Sequence, residues 1–352
     1  MVDRPVTDRP VLDYLLSADA VRERSQALMT LCQDNQLEHF RCDLDQLTPT
    51  ADFVLETLRQ NYPDLDVPFH SRWRHFNVGG VDRLPLLRQS LQGHSPTDGA
   101  KAKLDLAIVS VLLDAGAGRQ WQYRDAASGQ VLSRSEGLAI ASFQAFRQGL
   151  FSSDANWPYQ VDAQGLQQLT LETLATAFQV SDENPLVGLA GRLTLLHRLA
   201  AALTAQPQSF GTQPPRPGNL LDGWRAMARH GALDAQDLLR TVLHSFWAIW
   251  PGRTTLNHAN LGDVWPHPAL PQASEGSHLV PFHKLSQWLT YSLVEPLIDA
   301  GLSVTHLNAL TGLAEYRNGG LLVDMGLLVP KHEAVTAQAH QPGSSVVVEW
   351  RA

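Results

Sequence analysis

The sequence predicts a mostly α-helical fold with a small β-hairpin and a short antiparallel β element near the C-terminus. Apolar residues recur at helical spacing over most of the 352 residues, and strict alternation of apolar and polar residues is rare. Hydrophobic residues make up 44% of the chain and charged residues 18%. That composition excludes a disordered chain, and the length is enough to bury a core without disulfide or metal staples.

Helical spacing is clearest in residues 234–250, where the apolar residues from Leu238 to Trp250 fall on one stripe. Asp234 is a suitable N-cap, and Pro251 ends the run. Pro296 is expected to kink or end its own helix, because proline removes a backbone donor. Helices are predicted over residues 17–32, 50–60, 101–114, 136–146, 163–178, 191–205, 234–250 and 283–300.

Strands are predicted at two places only. Residues 121–132 alternate around a Ser-Gly turn and predict a short hairpin. Ser345–Arg351 also alternates and predicts a C-terminal strand, with Gly319–Leu328 as its candidate partner. Residues 206–218 and 265–281 are rich in proline and predict loops.

Those two loops leave the domain organisation open. They could link domains, but no change of composition accompanies them, so surface loops of one unit fit equally well. We expect a helical N-terminal region over residues 1–70 and a helical catalytic region over residues 71–352, joined in one continuous globular unit.

Charge and composition narrow the class of protein. The net charge is −8, which argues against a nucleic-acid binder that works through a basic surface. The N-terminus carries Asp3, Asp8 and Asp13 and has no apolar core, so no signal peptide is expected. No apolar stretch approaches the roughly 20 residues of a membrane-spanning helix. Cys32 and Cys42 are too few for a disulfide framework, and we expect reduced thiols in a cytoplasmic protein.

Standard catalytic motifs are absent from the sequence. It contains no G-x-x-x-x-G-K-[ST], no G-x-S-x-G and no H-E-x-x-H. The histidines at positions 258, 267, 278 and 283 lack ligand spacing, so neither a metal nor another cofactor is predicted.

A dense polar cluster stands out at Glu315-Tyr316-Arg317-Asn318, between a Thr-Gly turn and a Gly-Gly pair. A carboxylate, an aromatic ring, a guanidinium and a carboxamide within four residues suit a binding site better than a core. Asp324 follows on the same stretch and is a further candidate.

A second cluster opens the helix predicted from residue 283. His283 and Lys284 occupy its first turn, where cations are unfavourable against the helix dipole unless an anion is near. Gln287 follows one turn later. The two cations of the first turn indicate a phosphate or carboxylate ligand.

Other charged groups keep two interpretations. Asp105 lies at the edge of an apolar helix face and is either a surface-edge residue or a site carboxylate. Arg134 with Glu136, like Glu349 with Arg351, fits a plain ion pair and a site equally well. Asp82 and Arg83 either pin a Gly-Gly turn or belong to the site.

Several of these clusters together resemble the uracil-catabolism protein family, which includes fungal uracil-regulated proteins and bacterial relatives. The resemblance runs from Trp73 to the last residue and rests on long motifs. They are Asp105–Gly118, Arg134-Ser-Glu-Gly137, Pro281–Ser292 and Glu315-Tyr-Arg-Asn-Gly-Gly320. The resemblance implies a route from uracil through a uridine nucleotide and a ring-opened, ribosylurea-type intermediate, and association with other enzymes of that route. Members of the family continue beyond Glu349-Trp-Arg-Ala352, so we expect their C-terminal portion to be absent here.

A more distant resemblance is to the queuosine-salvage nucleosidases, in three short motifs. His283-Lys-Leu-Ser-Gln287 is similar to their Lys-Arg-Ala-Gln helix start, Ala314-Glu-Tyr-Arg317 to an Ala-Asp-Tyr-Arg turn, and Gly343–Ala352 to a strand. The resemblance implies a fold like the helix-hairpin-helix DNA glycosylases and hydrolysis of an N-glycosidic bond. Glu315 stands where those enzymes have aspartate, which keeps the carboxylate and lengthens its reach.

These resemblances imply roles for the candidate residues. Glu315 is the catalytic carboxylate, with Asp105 second and Asp324 third. Lys284, with His283 and Arg317, holds a 5′-phosphate or neutralises the leaving group. The remaining candidates bind substrate: Gln287 and Asn318 at polar edges of the urea or base, Tyr316 against the sugar, and Arg134 and Glu136.

The predicted function is hydrolysis of an N-ribosyl bond in a uracil-derived nucleoside or nucleotide, with ribosylurea or its 5′-phosphate as the favoured substrate. Two alternatives remain at this point. One is an amidohydrolase or lyase acting on the opened pyrimidine ring. The other is a non-catalytic uridine-nucleotide-binding partner of another enzyme of the route.

Overall fold

The computed structural model describes residues 9–352. Asp3 and Asp8, which partly carry the expectation that no signal peptide is present, lie outside them. The chain divides into two compact units. The first takes the chain through residue 68, residues 251–287 and residues 308–352, and the second takes residues 69–250 and 288–307.

Helices dominate both units, as predicted. Along residues 9–352 they are α1 (Arg9–Leu15), α2 (Ala18–Gln33), α3 (Leu47–Asn61), α4 (Arg72–His75), α5 (Leu84–Ser90), α6 (Pro96–Leu112), α7 (Arg134–Arg147), α8 (Ala163–Gln168), α9 (Leu171–Ala177), α10 (Leu189–Ala205), α11 (Pro207–Phe210), α12 (Leu220–Met227), α13 (Ala235–Phe246), α14 (Lys284–Asp299), α15 (Tyr316–Asp324), α16 (Glu333–Ala337) and α17 (Ser345–Arg351). None of these helices is long and apolar enough to cross a membrane.

The strands are two or three residues long. They are β1 (Phe40–Cys42), β2 (Gln122–Arg124), β3 (Val131–Ser133), β4 (Ala232–Asp234), β5 (Thr255–Leu256), β6 (Ala259–Asn260), β7 (Val264–Pro266), β8 (Leu279–Pro281), β9 (Ser303–Thr305) and β10 (Leu328–Pro330). In the part of the chain that the structure describes they form five two-stranded pairs: β1 with β10, β2 with β3, β5 with β6 and β7 with β8 antiparallel, and β4 with β9 parallel. The predicted hairpin is confirmed as β2 and β3.

Side-chain caps start several helices where the sequence predicts. Ser17 accepts a hydrogen bond from the N–H of Ala20 ahead of α2, and Asp234 accepts one from Gln236 ahead of α13. Such caps satisfy backbone donors that have no partner inside the helix. Pro296 lies inside α14, which ends three residues later at Asp299.

One predicted helix is divided. Residues 163–178 form α8 and α9 instead of a single helix, because Leu169 adopts an extended conformation between them. Thr170 then caps α9 by accepting the N–H of Thr173. A threonine favours such caps over helix interiors, and this local hydrogen bond competes with continuation of the helix.

The predicted C-terminal strand is wrong, because Ser345–Arg351 is α17. Its proposed partner is also helical over most of its length, as α15, and only its last residue belongs to a strand. The valines of this segment favour a strand, but tertiary contacts often override β propensity. Glu349 accepts hydrogen bonds from two backbone N–H groups of another segment, and Arg351 binds Asp263. The C-terminal antiparallel element is instead the pairing of β10 with β1.

Each unit has its own apolar core. That of the first unit joins α2, β1, β8 and α17, and includes Leu28, Phe40, Val280, Phe282 and Val348. In the second unit α6 is fully buried from Leu104 to its end at Leu112, and α7 packs against it. The Ser110 and Ser142 hydroxyls meet between those two helices at 2.7 Å, which satisfies both buried groups.

Candidate functional site

Glu315 and Lys284 form an ion pair in the first unit. Lys284 is the first residue of α14, and Glu315 is the N-cap residue of α15. The Lys284 ammonium contacts Oε2 of Glu315. The other carboxylate oxygen, Oε1, is buried and has no hydrogen-bond partner among residues 9–352. A buried, unpaired carboxylate oxygen is costly, so it marks a position where a ligand group would be stabilised.

The Glu315 carboxyl is ionised at neutral pH. Burial raises its pKa, but the hydrogen bond and charge of Lys284, the backbone N–H of Arg317 and the charge of Arg317 outweigh burial. The net result is a pKa below the usual value for glutamate. The site therefore offers a fixed negative charge beside a partly exposed ammonium group.

A second ion pair, Asp263 with Arg351, braces this site. The two guanidinium Nη atoms of Arg351 each lie 2.8 Å from a carboxylate oxygen of Asp263. Asp263 also accepts the N–H of Lys284 at 3.0 Å and the indole N–H of Trp265 at 2.8 Å. Arg351 donates through Nε to the carbonyl of Ala314 at 3.1 Å. This Asp263–Arg351 brace thus ties the start of α14 to the residue before Glu315.

The pKa of Asp263 lies at about 2. Burial raises this pKa, but the hydrogen bonds and charge of Arg351, with the N–H groups of Trp265 and Lys284, lower it by a larger amount. Asp263 is therefore charged at neutral pH, and its ion pair with Arg351 is intact there.

Gln287 holds the loop that leads to Glu315. Its Oε1 accepts the N–H of Thr311 at 3.0 Å and the Thr311 hydroxyl at 2.8 Å. Its Nε2 donates to the carbonyl of Phe282 at 3.1 Å, and the side chain is fully buried. The carboxamide is thus bonded within the protein at both ends.

His283 is also bonded inside the first unit. Its Nε2 lies 2.7 Å from the carbonyl oxygen of Leu15. Burial lowers the pKa of the imidazole, so the ring is neutral at pH 7. A neutral ring in this position fixes the chain ahead of α14 and contributes no positive charge.

The other candidates of the first unit lie on α15. Tyr316 is 59% exposed, with the Arg317 guanidinium 5.7 Å from its ring centre. Asn318 donates to the carbonyl of Leu313 at 3.1 Å. Asp324 is the last residue of the helix and is exposed. The structure thus places Tyr316, Arg317 and Asn318 in the first turn of α15, directly after Glu315.

Asp105 belongs to the second unit and is fully buried. Arg216 binds it through Nε at 2.9 Å and Nη2 at 2.6 Å, and it accepts the N–H groups of Val161 and Gly218. A Cβ atom at Gly218 would lie 2.3 Å from the carbonyl oxygen of Lys101, so only glycine allows this approach. Asp105 therefore joins α6 to two loops.

Arg134 and Glu136, at the start of α7, also belong to the second unit. Arg134 is exposed and Glu136 half-buried. Between them, the carbonyl of Ser135 accepts from the buried Arg72 guanidinium at 2.8 Å, and Arg72 also pairs with Asp114. Neither Arg134 nor Glu136 forms an ion pair with the other in the described part of the chain.

The other two pairs of charged residues with two interpretations, Asp82 with Arg83 and Glu349 with Arg351, make contacts within the fold. Asp82 accepts the N–H of Leu84 at 3.0 Å, and the fully buried Arg83 pairs with Asp125 at 2.7 Å. These contacts agree with the interpretation that Asp82 and Arg83 pin the Gly-Gly turn. Glu349 and Arg351 do not pair with each other: Glu349 lies 3.4 Å from the His267 ring nitrogen, while Arg351 belongs to the brace.

Sequence reasoning missed Asp263. The two partners that place it at the site, Lys284 and Arg351, are 21 and 88 residues away, so no local pattern connects them to it. The one local indication is an aspartate after a glycine, directly before a strand, which is too common to identify a site. Across residues 9–352, no group of three or more His, Cys, Asp or Glu side chains is arranged to hold a metal ion.

Comparison with known sequences gives matches along nearly the whole chain. Residues 14–352 match a family model described as a protein of unknown function, DUF1688. Protein urg3 of Schizosaccharomyces pombe is 40% identical over 344 residues, which cover 96% of this chain and 82% of the relative. Uracil catabolism protein 4 of Lachancea kluyveri is 37% identical over 383 residues, which cover 99% of this chain and 86% of the relative.

Proposed function

This chain belongs to the DUF1688 family, and we propose that it acts in uracil catabolism, the process named in one of its relatives, by hydrolysing an N-ribosyl bond. The substrate class is a uracil-derived nucleoside or nucleotide, with ribosylurea or its 5′-phosphate as the favoured compounds. The pathway is supported by the relative's name, and the reaction by the first-unit site.

One observation carries the proposed reaction: Glu315 is ionised, held by Lys284, and has a buried oxygen with no partner among residues 9–352. Cleavage of a riboside builds positive charge on the sugar, as in the transition states of glycosidases. A preorganised carboxylate stabilises that charge without reorganising. The unpartnered Oε1 can accept a hydrogen bond from a sugar hydroxyl or from the attacking water.

Lys284 supplies the complementary charge. An ammonium group has three N–H donors, and its bond to Glu315 occupies one of them. The side chain is 38% exposed, so the remaining donors can reach a 5′-phosphate or the departing nitrogen. Tyr316 and Arg317, in the adjacent turn, are exposed enough to flank the sugar.

Three of the candidate residues take supporting roles in this proposal. Gln287 forms hydrogen bonds with Thr311 and Phe282, and His283 forms one with Leu15, so both side chains fix the backbone around the site. The Asp105 carboxylate binds Arg216 and accepts two backbone N–H groups of its own unit. We assign these three residues to positioning and folding.

The proposed step is balanced by water alone. The C1′–N bond breaks, and the electron pair leaves with the nitrogen. The water oxygen bonds to C1′, and one water proton passes through Glu315 or solvent to the departing nitrogen. Ribosylurea and water thus yield ribose and urea, with no net oxidation.

A product assay tests the proposal. Purified protein is incubated separately with ribosylurea, its 5′-phosphate, uridine and UMP, and urea, uracil and the free sugar are measured by mass spectrometry. We expect a free sugar from at least one compound, its loss in Glu315→Gln, and retention in Glu333→Gln, a control at an exposed carboxylate of the same unit.

Other products would favour other functions. Release of ammonia without free sugar would indicate an amidohydrolase or lyase acting on the opened ring. Tight binding of UMP with no product from any compound would indicate a binding role. Either result overturns the N-ribosyl hydrolase proposal.

A further inference from the structure

Cys32 and Cys42, the two cysteines of the chain, meet in the first unit. Cys32 lies near the end of α2 and Cys42 is the last residue of β1. Their Sγ atoms are 2.9 Å apart. A disulfide needs about 2.05 Å, so a shift of less than about 1 Å would bring the sulfur atoms to bonding distance.

The two thiols differ in access. Cys32 is buried in the apolar core with Leu28 and Val348, while Cys42 is half-buried. The thioether sulfur of Met29 lies 3.8 Å from Cys42 Sγ. A reagent in solution therefore reaches Cys42 first and meets Cys32 only through it.

We propose that Cys32 and Cys42 form a reversible intramolecular disulfide, with a low-molecular-weight disulfide such as oxidised glutathione as the oxidant. The Cys42 thiolate attacks one sulfur of the oxidant, a Cys42–glutathione bond forms, and one glutathione thiol leaves. Cys32 then attacks Cys42 Sγ, the mixed disulfide breaks, and the second glutathione thiol leaves. Two protein thiols are oxidised and one glutathione disulfide is reduced, with both protons passing to the released thiols.

The electrostatics fit this order of attack. Burial, the hydrogen bond with Cys42 and the charge of Cys42 together raise the pKa of Cys32 to about 12. Cys32 is therefore a poor first nucleophile. Formation of the mixed disulfide removes the thiolate charge of Cys42, which eases deprotonation of Cys32 at the step where it must react.

The bond would join two elements that are otherwise held by non-covalent contacts. Cys42 is paired with Leu328 in the β1–β10 ladder, and β10 follows α15, the helix that starts after Glu315. A disulfide would thus fix α2 covalently to the strand pair behind that helix. This inference rests on the cysteine geometry alone and stands whatever reaction the protein performs.

Intact mass and peptide mapping test the proposal on the full wild-type chain. The reduced protein is equilibrated over a series of reduced-to-oxidised glutathione ratios and alkylated with N-ethylmaleimide, and its intact mass is then measured by mass spectrometry. We expect the two alkylatable thiols to disappear together and the oxidised monomer to weigh about 2 Da less than the unmodified reduced chain, with both thiols restored by dithiothreitol. Trypsin cuts after Arg24, Arg41 and Arg59, so the disulfide would link peptides 25–41 and 42–59.

Single-cysteine variants supply the control. Cys32→Ser should stop at a stable glutathione adduct on Cys42, and Cys42→Ser should keep its buried thiol unmodified. The proposal fails if the wild-type protein also stops at the glutathione adduct, forms only disulfide-linked dimers, or keeps both thiols at the most oxidising ratio. The wild-type measurement is decisive even if a variant does not fold.

Discussion

Replacing Asp263 by asparagine is expected to lower the free energy of unfolding of the first unit by about 2 to 3 kcal/mol at pH 7. Two observations set this magnitude. The pKa of Asp263 falls from 3.8 to about 2, and each pKa unit corresponds to about 1.4 kcal/mol. The Arg351 side chain is only 13% exposed, so the substitution also leaves a largely buried guanidinium without its anion.

The pH dependence follows from the direction of that shift. A carboxyl whose pKa is lowered by folding stabilises the protein fully above its unfolded pKa, and that contribution is lost as the pH falls through its folded pKa. For Asp263 the loss runs from about pH 4 down to about pH 2. The Asp263→Asn protein lacks this contribution, so its stability should fall less steeply over the same interval.

Urea unfolding, monitored through hydrogen exchange of peptides from the first unit, measures this loss of stability without assuming that the whole chain unfolds in one step. Asp43→Asn is the matched control, because its contact with Arg41 spans 4.0 Å between partly exposed side chains. Such pairs contribute about 0 to 1 kcal/mol. The Asp263–Arg351 brace does not stabilise the first unit as described if the two variants lose equal stability at pH 7, or if the Asp263→Asn deficit is as large at pH 2 as at pH 7.

Three further predictions concern the candidate residues. Asp105→Asn should cost about 3 to 5 kcal/mol in urea unfolding, because Arg216 stays buried without a charged partner, and an equal stability to wild type would contradict the structural role. Gln287→Ala should cost about 1 to 3 kcal/mol and accelerate hydrogen exchange around Thr311, which it holds by two hydrogen bonds; unchanged exchange would speak against that role. If the proposed hydrolysis is found, the acid limb of its kcat/KM profile should fall below pH 4.5, since Glu315 must be ionised, and Lys284→Met should move that limb to higher pH.

Local patterns predict much of the helical part of the fold. Asp234 and the apolar stripe after it are sufficient to place α13, since both the cap and the period are encoded within one short segment. The same reasoning fails at Ser345–Arg351, where three successive valines indicate a strand and the structure has a helix. The anchors that decide the matter, at residues 38, 39 and 263, are remote in sequence.

The candidate site, too, is predictable from local sequence in one part and depends on remote contacts in another. Glu315 to Asn318 are adjacent in sequence, so their grouping is visible without a structure. The pairing of Glu315 with Lys284 follows from the structure, and the brace behind it depends on contacts that no spacing rule predicts. Gln287 and His283 have the polar groups expected of ligand contacts, yet both side chains are buried and their polar atoms form hydrogen bonds within the protein.

The resemblances also have different outcomes. Membership of the uracil-catabolism family is confirmed by the match over residues 14–352 and by the two relatives. The resemblance to queuosine-salvage nucleosidases stays a prediction, and the segment that it implies to be a strand is α17. The division at residue 70, the cytoplasmic location and the association with other enzymes of the route also stay predictions.

The decisive measurement is the turnover of ribosylurea 5′-phosphate and ribosylurea by wild type and Glu315→Gln, with binding of the same compounds measured in parallel. We expect urea and free sugar from the wild type. In Glu315→Gln we expect at least about a hundredfold lower kcat, with binding retained within a few-fold, because the charge acts in the transition state. Equal kcat in the two proteins, or no free sugar from the wild type with either compound, would overturn the proposed role of Glu315 in N-ribosyl hydrolysis.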